Sequence, residues 1–358
     1  SRQCNHLVTD FSLLRCSLAH YYTPLKSPSP DLRGENLGFL RFAILFAPFP
    51  LFRRILLFCR FLFCRSPFTM ASHIQKFKIA LCQLLVTSDK ERNIARAREL
   101  IEDAALKGSK LIVLPEMWNC PLSLQNLSKY AEDIDAQDSP SISMLSEVAA
   151  CHEITIIGGS IPEKANGQLF NTCCVLGPDG QVKAKHRKLH LFDIDIPGDT
   201  TFRESDTLTA GDTPTIVDTA DVGSIGIGIC HDIRFPELAM LYRSRGAHLI
   251  CYPGAFNMST GELLWELMQR SRAVDNQLFV ATCSPARNPN AESDYMIWGH
   301  SSLVGPFGDM IATTGHDEAT VAGEIDYSMI HSRRENLSLA EQRRGVIYKT
   351  VDVLGQIA

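Results

Sequence analysis

The hydrophobic and polar positions between residues 76 and 330 follow two periodicities. Runs in which apolar residues fill alternate positions, or four to five consecutive positions, predict β-strands. Apolar residues at helical spacing predict α-helices between several of these runs. The predicted strands are residues 77–84, 111–114, 155–159, 171–176, 182–189, 224–230, 248–252, 278–283, 301–304, 310–314 and 321–325. The predicted helices are one capped by Ser88 and ended by Gly108, and others at 143–152, from Pro236 onward and at 262–275.

The order of these elements predicts the fold class. Strands that alternate with helices favour an α/β fold, and the hairpins at 171–189 and 301–314 indicate mixed sheets. No linker rich in Pro, Gly or Ser interrupts residues 76–330. We therefore expect one domain at 70–358, with its core at about 76–330 and a C-terminal tail.

Residues 1–69 differ in composition from the rest of the chain. They carry nine Lys or Arg and three Asp or Glu, a net charge of +6, whereas the whole chain of 358 residues has −5. Residues 36–69 contain no acidic residue, and charged residues break the apolar run at 37–64, which argues against a membrane-spanning helix. The composition favours an organelle transit peptide. The alternatives are a leader without a role, ahead of a translation start at Met70, and a membrane-surface segment.

The overall composition excludes some classes of function. Hydrophobic residues make up 45% and charged residues 21%, as in ordinary globular proteins, and no basic excess suggests a nucleic-acid partner. The twelve cysteines lack the paired CxxC spacing of zinc or redox sites. We interpret them as reduced and mostly buried thiols.

The stretch from Ser224 to Glu237 reads SIGIGICHDIRFPE and carries the first candidate for chemistry. It begins as a strand with bulky Ile on one face and small residues on the other, and it ends at Cys230 before a helix that starts near Pro236. A thiol at such a junction is a candidate nucleophile, with its pKa lowered by a helix N-terminus. The alternative is a small buried apolar residue, the commoner role of a free cysteine.

Two further polar groups stand at the ends of apolar or strand-like runs. Glu116 follows LIVLP, and Lys188 follows VKAKHR. Each alone is more often a solvated charge or a helix cap. Together with Cys230 they supply a base for the thiol, and a cation for the oxyanion that forms when the thiol attacks a carbonyl, along with the backbone N–H after Cys230.

The three motifs resemble the nitrilase, or carbon–nitrogen hydrolase, superfamily. Glu116 in LPEMW, Lys188 in HRKLHLFD and Cys230 in GIGICHDIRFPE are similar to its Glu-Lys-Cys triad. The blocks KHRKLHLFDIDIPG, TFRESDTLTAGD, YPGAFNMSTG, WELMQRSRAVDNQ and ATCSPAR resemble the omega-amidase branch, and its plant plastid members in particular. The resemblance covers about residues 76–353. It implies a four-layer αββα sandwich, a homodimer, and no metal or organic cofactor.

The resemblance also implies roles for individual residues. Glu116 matches the general base, Lys188 the oxyanion-stabilising lysine and Cys230 the nucleophile. Glu204 in TFRES matches a second glutamate that orients substrate and lysine. Arg234 matches the arginine that binds the substrate carboxylate, a task that suits a guanidinium fork.

Some of these residues have a purely structural role as the alternative, and one differs from the residue usual in the omega-amidase branch. Arg234 could instead pair with Asp232 or Glu237. Phe256 and Thr260 match pocket-lining positions, with packing or capping as their alternatives. His231, whose backbone N–H would serve the oxyanion, stands where the branch usually has Tyr, so its imidazole could alter the pH dependence.

The implied reaction is hydrolysis of the terminal amide of 2-oxoglutaramate or 2-oxosuccinamate through a Cys thioester. The alternatives are a nitrilase or a carbamoylase with the same triad, or a catalytically silent binding protein or thiol sensor on this fold. The expected partner is a small amide, with no nucleic acid and no membrane. The expected location is the plastid (chloroplast), or the cytoplasm if translation starts at Met70.

Overall fold

Two β-sheets packed face to face form the centre of the structure. It is a computed structural model that describes residues 76–136, 139–195, 201–289 and 295–354. The predicted leader, residues 1–69, lies outside the described residues. The strands are β1 Lys76–Gln83, β2 Ser109–Val113, β3 Thr155–Ile157, β4 Ile161–Ala165, β5 Gln168–Leu176, β6 Val182–Arg187, β7 Asp193–Asp195, β8 Thr201–Arg203, β9 Thr215–Thr219, β10 Gly223–Ile227, β11 Leu249–Pro253, β12 Phe279–Cys283, β13 Ser302–Val304, β14 Met310–Thr313 and β15 Ala319–Asp326.

Helices lie between these strands and after the last one. They are α1 Lys90–Leu106, α2 Leu127–Tyr130, α3 Pro140–His152, α4 Pro236–Ser244, α5 Met258–Asn276, α6 Ser328–Asn336 and α7 Leu339–Gln342.

Both large sheets mix parallel and antiparallel pairs. The first has the order β15-β1-β2-β3-β5-β4, with β6 also paired to β5, and β1, β2 and β3 are parallel to one another. The second has the order β14-β13-β12-β11-β10-β9, with β10, β11 and β12 parallel. The predicted α/β class with mixed sheets is therefore confirmed. Strands β7 and β8 form a separate two-stranded ribbon.

The alternation along β1 shows how the layers form. Ile79 and Leu81 belong to the core cluster that also contains Ile225 and Ile227 of the second sheet. Ala80 and Cys82 belong to the cluster that contains the buried faces of α1 and α3. Successive side chains of a strand point to opposite faces, so one face of the first sheet meets the second sheet and the other meets helices.

The outer face of the second sheet is covered by helices as well. A Cβ atom added at Gly226 of β10 would lie 2.7 Å from the ring of Tyr242 on α4. The small residues between the isoleucines of β10 therefore let α4 approach the sheet closely. The order helix, sheet, sheet, helix confirms the expected four-layer αββα sandwich.

Some element boundaries differ from those predicted. Asp89, and not Ser88, caps α1, because its side chain accepts the N–H of Arg92. Strand β10 ends at Ile227, so Cys230 lies beyond the strand. Helix α5 begins at Met258, because the Asn257 side chain caps its first turn. Strands β4 and β9 were missed, since polar and charged residues interrupt their apolar pattern.

The described residues also allow a search for membrane-spanning segments and disulfides. Within them, no helix is both long and apolar enough to cross a membrane. Their eight cysteines are free, and all except Cys151 are buried.

Candidate active site

Glu116 lies three residues after β2, in a buried turn. Its backbone is positioned by Gly159, which has a positive φ of +61° and approaches the carbonyl oxygen of Pro115 so closely that an added Cβ would lie 2.2 Å from it. The hydroxyl of Ser160 accepts the N–H of Met117 at 3.1 Å. The turn therefore directs the Glu116 side chain inward, where the residue is 1% exposed.

The carboxylate of Glu116 accepts three hydrogen bonds. Its Oε1 accepts from Lys188 Nζ at 3.0 Å and from Asn171 Nδ2 at 2.9 Å. Its Oε2 accepts the backbone N–H of Ala255 at 2.9 Å. These donors fix the carboxylate in one orientation between the two sheets.

Lys188 follows β6 directly, and it is 1% exposed. Its backbone N–H donates to the carbonyl oxygen of Asn171 at 2.8 Å, which holds the end of β6 against β5. Its Nζ lies 2.9 Å from Glu204 as well as 3.0 Å from Glu116. Burial alone would lower the pKa of Lys188, but the charges of the two glutamates raise it well above its ordinary value, so the ammonium stays protonated.

Glu204 opens a 3₁₀ turn, Glu204–Asp206, that follows β8. One of its oxygens accepts the N–H of Phe192 at 2.8 Å, and the other accepts from Lys188. Burial raises the pKa of Glu204, the nearby Lys188 opposes this, and the charge of Glu116 adds to it. Two buried carboxylates thus share one ammonium.

Cys230 begins a five-residue 3₁₀ turn, Cys230–Arg234, with a φ of +46°. A side chain at a positive φ marks a strained turn of the kind found at functional sites. The turn packs against Gly254, where an added Cβ would lie only 3.3 Å from the Cα of Cys230. The thiol is therefore held beside Ala255, whose N–H binds Glu116.

The expected lowering of the Cys230 pKa is wrong. Burial raises the pKa of this thiol well above its ordinary value, the charge of Glu116 raises it further, and Lys188 opposes both. A turn of one 3₁₀ helix provides too little dipole to offset burial, and α4 begins only at Pro236. The resting thiol is protonated, so it needs a base to become a nucleophile.

Asp232 is fully buried and connects the turn Cys230–Arg234 to the segment around Lys188. Its Oδ2 accepts the N–H of Ile229 at 2.8 Å and faces His186 Nε2 at 3.2 Å. Its Oδ1 accepts the N–H of His190 at 3.0 Å and faces the Nδ1 of the same residue at 2.8 Å. His186 and His190 lie on either side of Lys188 in sequence, so one carboxylate fixes the relative position of Lys188 and Cys230.

His231 is partly exposed and contacts the rings of Phe192 and Phe235, at centroid distances of 5.1 and 5.6 Å. Burial lowers its pKa to about 4, with the charges of Lys188 and Arg234 in support. The imidazole is therefore neutral near pH 7, and it does not provide the titration in that range that the sequence left open.

The remaining predicted substrate-binding residues are placed differently from one another. Arg234 forms no ion pair with Asp232 or Glu237 within the described residues, its buried Nε has no hydrogen-bond partner, and its guanidinium lies 5.3 Å from the ring centre of Phe256. Phe256 is buried and packs edge-on against Trp265. The Thr260 N–H and hydroxyl both donate to Asn257, so Thr260 takes part in capping α5. The pocket roles of Phe256 and Thr260 stay predictions.

A cavity of about 1140 Å³ opens next to Glu116. Of the residues predicted for the site, Glu116 lines this cavity, and Cys230, Lys188 and Arg234 are not among its lining residues. Other lining residues are Met117, Tyr130, Phe202, Arg203, Asn257 and Tyr295. The cavity is large enough for a small organic amide, with polar groups from several loops around it.

Sequence reasoning missed Asn171 and Asp232 as parts of the site. Asn171 lies in the middle of β5, where asparagine is disfavoured in strands, and this was the available signal. Asp232 had been considered only as a partner of Arg234. Two of its partners, His186 and His190, are distant in sequence and become its neighbours only in the folded chain.

The arrangement suits nucleophilic chemistry at a carbonyl carbon. It places a thiol, a carboxylate and an ammonium together in a dry site. Within the described residues, no group of three or more His, Cys, Asp or Glu side chains is arranged to hold a metal ion.

Comparisons with known proteins agree with this geometry. The family model described as carbon–nitrogen hydrolase matches residues 78–335. The chain is 65% identical to a protein of Arabidopsis thaliana named "Omega-amidase, chloroplastic", over 79% of this chain and 76% of the relative. It is 48% identical to the human "Omega-amidase NIT2", over 76% of this chain and 96% of the relative.

Solved structures show the same fold. The crystal structure of Saccharomyces cerevisiae Nit3, described as a member of branch 10 of the nitrilase superfamily, is 43% identical and has a TM-score of 0.69, covering 75% of this chain and 97% of that one. The Caenorhabditis elegans NitFhit protein is 32% identical with a TM-score of 0.69, covering 77% and 67%. The chain therefore belongs to the carbon–nitrogen hydrolase family.

Proposed function

We propose that the protein is an omega-amidase, which hydrolyses the terminal amide of 2-oxoglutaramate or 2-oxosuccinamate to the dicarboxylate and ammonia. The observation that carries the proposal is the buried set of Glu116, Lys188 and Glu204 beside the strained Cys230. The identity of 65% to a relative named omega-amidase supports the choice of substrate.

The first half of the reaction forms a thioester. Glu116 accepts the proton of the Cys230 thiol, and the sulfur attacks the amide carbon. Lys188 stabilises the oxyanion, together with backbone N–H groups such as that of His231. The proton then passes from Glu116 to the amide nitrogen, the carbon–nitrogen bond breaks and ammonia leaves. Because burial raises the pKa of the Cys230 thiol, Glu116 must remove the proton, and Lys188 must stabilise the oxyanion, while the sulfur attacks.

The second half releases the product. Glu116 takes a proton from a water molecule that attacks the thioester carbon, and Lys188 again stabilises the oxyanion. The carbon–sulfur bond breaks, and Glu116 returns the proton to Cys230. Glu204 acts by holding Lys188 in place through the 2.9 Å contact.

Arg234 provides the basis for selectivity. Its guanidinium has a buried Nε without a partner among the described residues, and it is proposed to bind the carboxylate at the other end of the substrate. A neutral amide would leave this half-buried cation unpaired, which disfavours its binding. Phe256 would support the guanidinium from below, since the two lie 5.3 Å apart.

The test is a substrate profile of the purified protein. The protein is incubated separately with 2-oxoglutaramate, 2-oxosuccinamate, small nitriles and N-carbamoyl amino acids, and the products are identified by mass spectrometry. We expect ammonia and dicarboxylate from the oxo-amides. Turnover of nitriles or carbamoyl compounds without turnover of the oxo-amides would contradict the substrate assignment and favour a nitrilase or carbamoylase with the same triad.

The Cys230→Ala variant separates catalysis from a silent binding role or a thiol sensor. We expect it to keep the fold and to release no ammonia. Ammonia release at the wild-type rate would disprove the nucleophile assignment. A wild-type protein that releases no ammonia from any amide would favour the binding protein.

We also propose plastid import directed by residues 1–69, and a homodimer. The Arg-rich, acid-poor composition of residues 36–69 and the relative named chloroplastic support import. Sequencing the N-terminus of the protein from its own tissue tests the proposed import.

The proposed homodimer would cover an apolar surface on helix α5, where Leu263 is 72% and Leu267 60% exposed. Light scattering of the Leu263→Lys/Leu267→Lys variant tests the homodimer. A monomer is the expected result, and an unchanged dimer would be evidence against this surface.

A further inference from the structure

The two oxygens of Glu116 have different partners. Oε1 accepts two hydrogen bonds, from Lys188 and Asn171, whereas Oε2 accepts one, from the N–H of Ala255. An ionised carboxylate has about two acceptor sites on each oxygen. Oε1 is therefore saturated, and Oε2 keeps one acceptor site.

Asn171 is placed so that it controls this difference. It lies on the same face of β5 as Cys173 and Val175, which pack in the core between the two sheets. It is fully buried. Its side-chain amide donates to Glu116 Oε1 at 2.9 Å, and its backbone carbonyl accepts the N–H of Lys188 at 2.8 Å. Asn171 thus holds both the carboxylate of Glu116 and the backbone of Lys188.

The donor to Oε2 lies beside the turn that carries the thiol. This donor, the N–H of Ala255, follows Gly254, the residue that packs against the Cα of Cys230. Burial raises the pKa of the Cys230 thiol, and among the groups that oppose this is the same N–H of Ala255. Oε2 and the sulfur of Cys230 are therefore neighbours around one backbone N–H.

We propose that Asn171 is a positioning residue: together with Lys188 it occupies Oε1, so that Oε2 is the oxygen that accepts the proton of Cys230. This inference rests on the proposed thiol mechanism and adds to it the identity of the basic oxygen. Without the Asn171 donor, Oε1 would also have a vacant acceptor site, and two donors instead of three would hold the orientation of the carboxylate towards the sulfur.

The chain offers a matched control at Asn119. This residue is also fully buried, and its amide donates to another buried carboxylate, Glu132, at 3.2 Å and to Ser141 at 3.1 Å. Its partners do not include Glu116, Lys188 or Cys230. A substitution there perturbs packing and hydrogen bonding to a similar degree without contacting the proposed base.

The first experiment compares Asn171→Leu with Asn119→Leu. We expect Asn171→Leu to lower kcat by about 10- to 100-fold, in keeping with misplacement of a catalytic group, and to leave KM nearly unchanged. Alkylation of Cys230 by iodoacetamide should slow by a similar factor, since it needs the same deprotonation. Asn119→Leu should lower the melting temperature but keep kcat and the alkylation rate near those of the wild type.

Asn171→Asp provides a second, nearly isosteric variant in case the first does not fold. The new carboxyl group faces Glu116, with Lys188, Glu204 and Cys230 as the other charged or titratable groups nearby. When ionised it cannot donate to Oε1, but when protonated it can. Activity relative to the wild type should therefore be low at pH 8 and rise as the pH falls. The corresponding ratio for Asn119→Asp should show no such rise.

Two results would overturn the inference. One is a kcat and an alkylation rate of Asn171→Leu equal to those of Asn119→Leu. The other is an Asn171→Asp activity ratio that does not change with pH. Failure of the thiol mechanism itself would appear separately, as ammonia release that persists in Cys230→Ala.

Discussion

Two buried carboxylate sites in this molecule differ in how their charge is balanced. Glu132 accepts hydrogen bonds from Ser139, from the N–H and hydroxyl of Ser141 and from Asn119, and Lys90 lies 2.8 Å away. Burial alone would raise its pKa, but these partners lower it below 4.5. Glu204 is as buried as Glu132, yet burial raises its pKa, because Lys188, which opposes that rise, is shared with Glu116, whose charge adds to it.

The difference distinguishes a structural site from the proposed catalytic one. In the first, one carboxylate has all its partners and stabilises the loop before α3. In the second, two carboxylates and a protonated thiol surround one ammonium, so the site keeps an unused capacity to accept a proton. Substitutions at corresponding residues of the two sites test this distinction.

Replacing the shared cation should have the largest effect. Lys188→Met should lower kcat by about 10³-fold, since it removes an oxyanion donor, and should destabilise the fold by about 3–5 kcal/mol, since it leaves two buried carboxylates unpaired. Lys90→Met should destabilise the fold and leave kcat near that of the wild type, because Lys90 pairs with Glu132 and not with Glu116 or Glu204. Turnover assays and urea unfolding check both. Equal losses of kcat in the two variants would contradict the comparison.

The two glutamates should respond to pH with opposite signs. The lowered pKa of Glu132 means that its contribution to stability is present above pH 4.5 and is lost as the pH falls through the lowered value. The raised pKa of Glu204 means that ionising it reduces stability as the pH rises above 4.5. The deficit of Glu132→Gln should therefore shrink as the pH is lowered below 4.5. Glu204→Gln should gain stability relative to the wild type as the pH is raised above 4.5.

The measurement is the free energy of unfolding in urea at several pH values, with kcat of each variant. Glu204→Gln should also lower kcat by about 10²-fold through misplacement of Lys188, whereas Glu132→Gln should not. The same pH trend in both variants would count against the distinction.

Asp232→Asn should have a smaller effect on catalysis. Its four hydrogen-bonding contacts include the N–H groups of Ile229 and His190, and an amide NH₂ cannot accept from them. We expect kcat to fall about tenfold with KM little changed, because Asp232 would no longer fix the turn at Cys230 relative to Lys188. Asp221→Asn, at a carboxylate that accepts from Thr155 outside the site, serves as the control. A loss confined to KM would contradict the anchoring role.

The smallest effect is expected at His231. Since burial lowers its pKa to about 4, the imidazole is neutral throughout the pH range of a neutral enzyme. His231→Tyr should therefore leave the shape of the kcat profile between pH 6 and 8 unchanged. Its stability should fall less than that of the wild type as the pH drops from 6.5 towards 4, because a histidine whose pKa is lowered in the folded state costs stability over that interval. A shifted profile near pH 7 would show that His231 titrates in the active range.

The sequence predicts the core of this fold better than its edges. Strand β1 and helix α1 have clear apolar periods, and both were found near their expected bounds. Strands β4 and β9 carry polar residues at intermediate positions, so their pairing depends on neighbours that are distant in sequence. The start of α5 was missed because its first turn has no apolar pattern. The helix begins there because the side chain of Asn257 caps that turn.

The site shows the same division between local and distant information. Glu116 and Lys188 could be selected from their place after strand-like segments, and the structure brings them within 3.0 Å of each other. The raised pKa of Cys230 could not be predicted, because it depends on burial and on the charge of Glu116, 114 positions away. Asn171 and Asp232 act through contacts that no local pattern encodes.

The most direct test of the proposed chemistry is to trap the acyl-enzyme. The protein is mixed with 2-oxoglutaramate, quenched in acid within the first turnovers, digested and analysed by mass spectrometry. We predict that the peptide with Cys230 gains the mass of the acyl group, and that the adduct is absent from Cys230→Ala. Steady turnover with no adduct on Cys230, or with an adduct on another residue, would contradict the proposed mechanism.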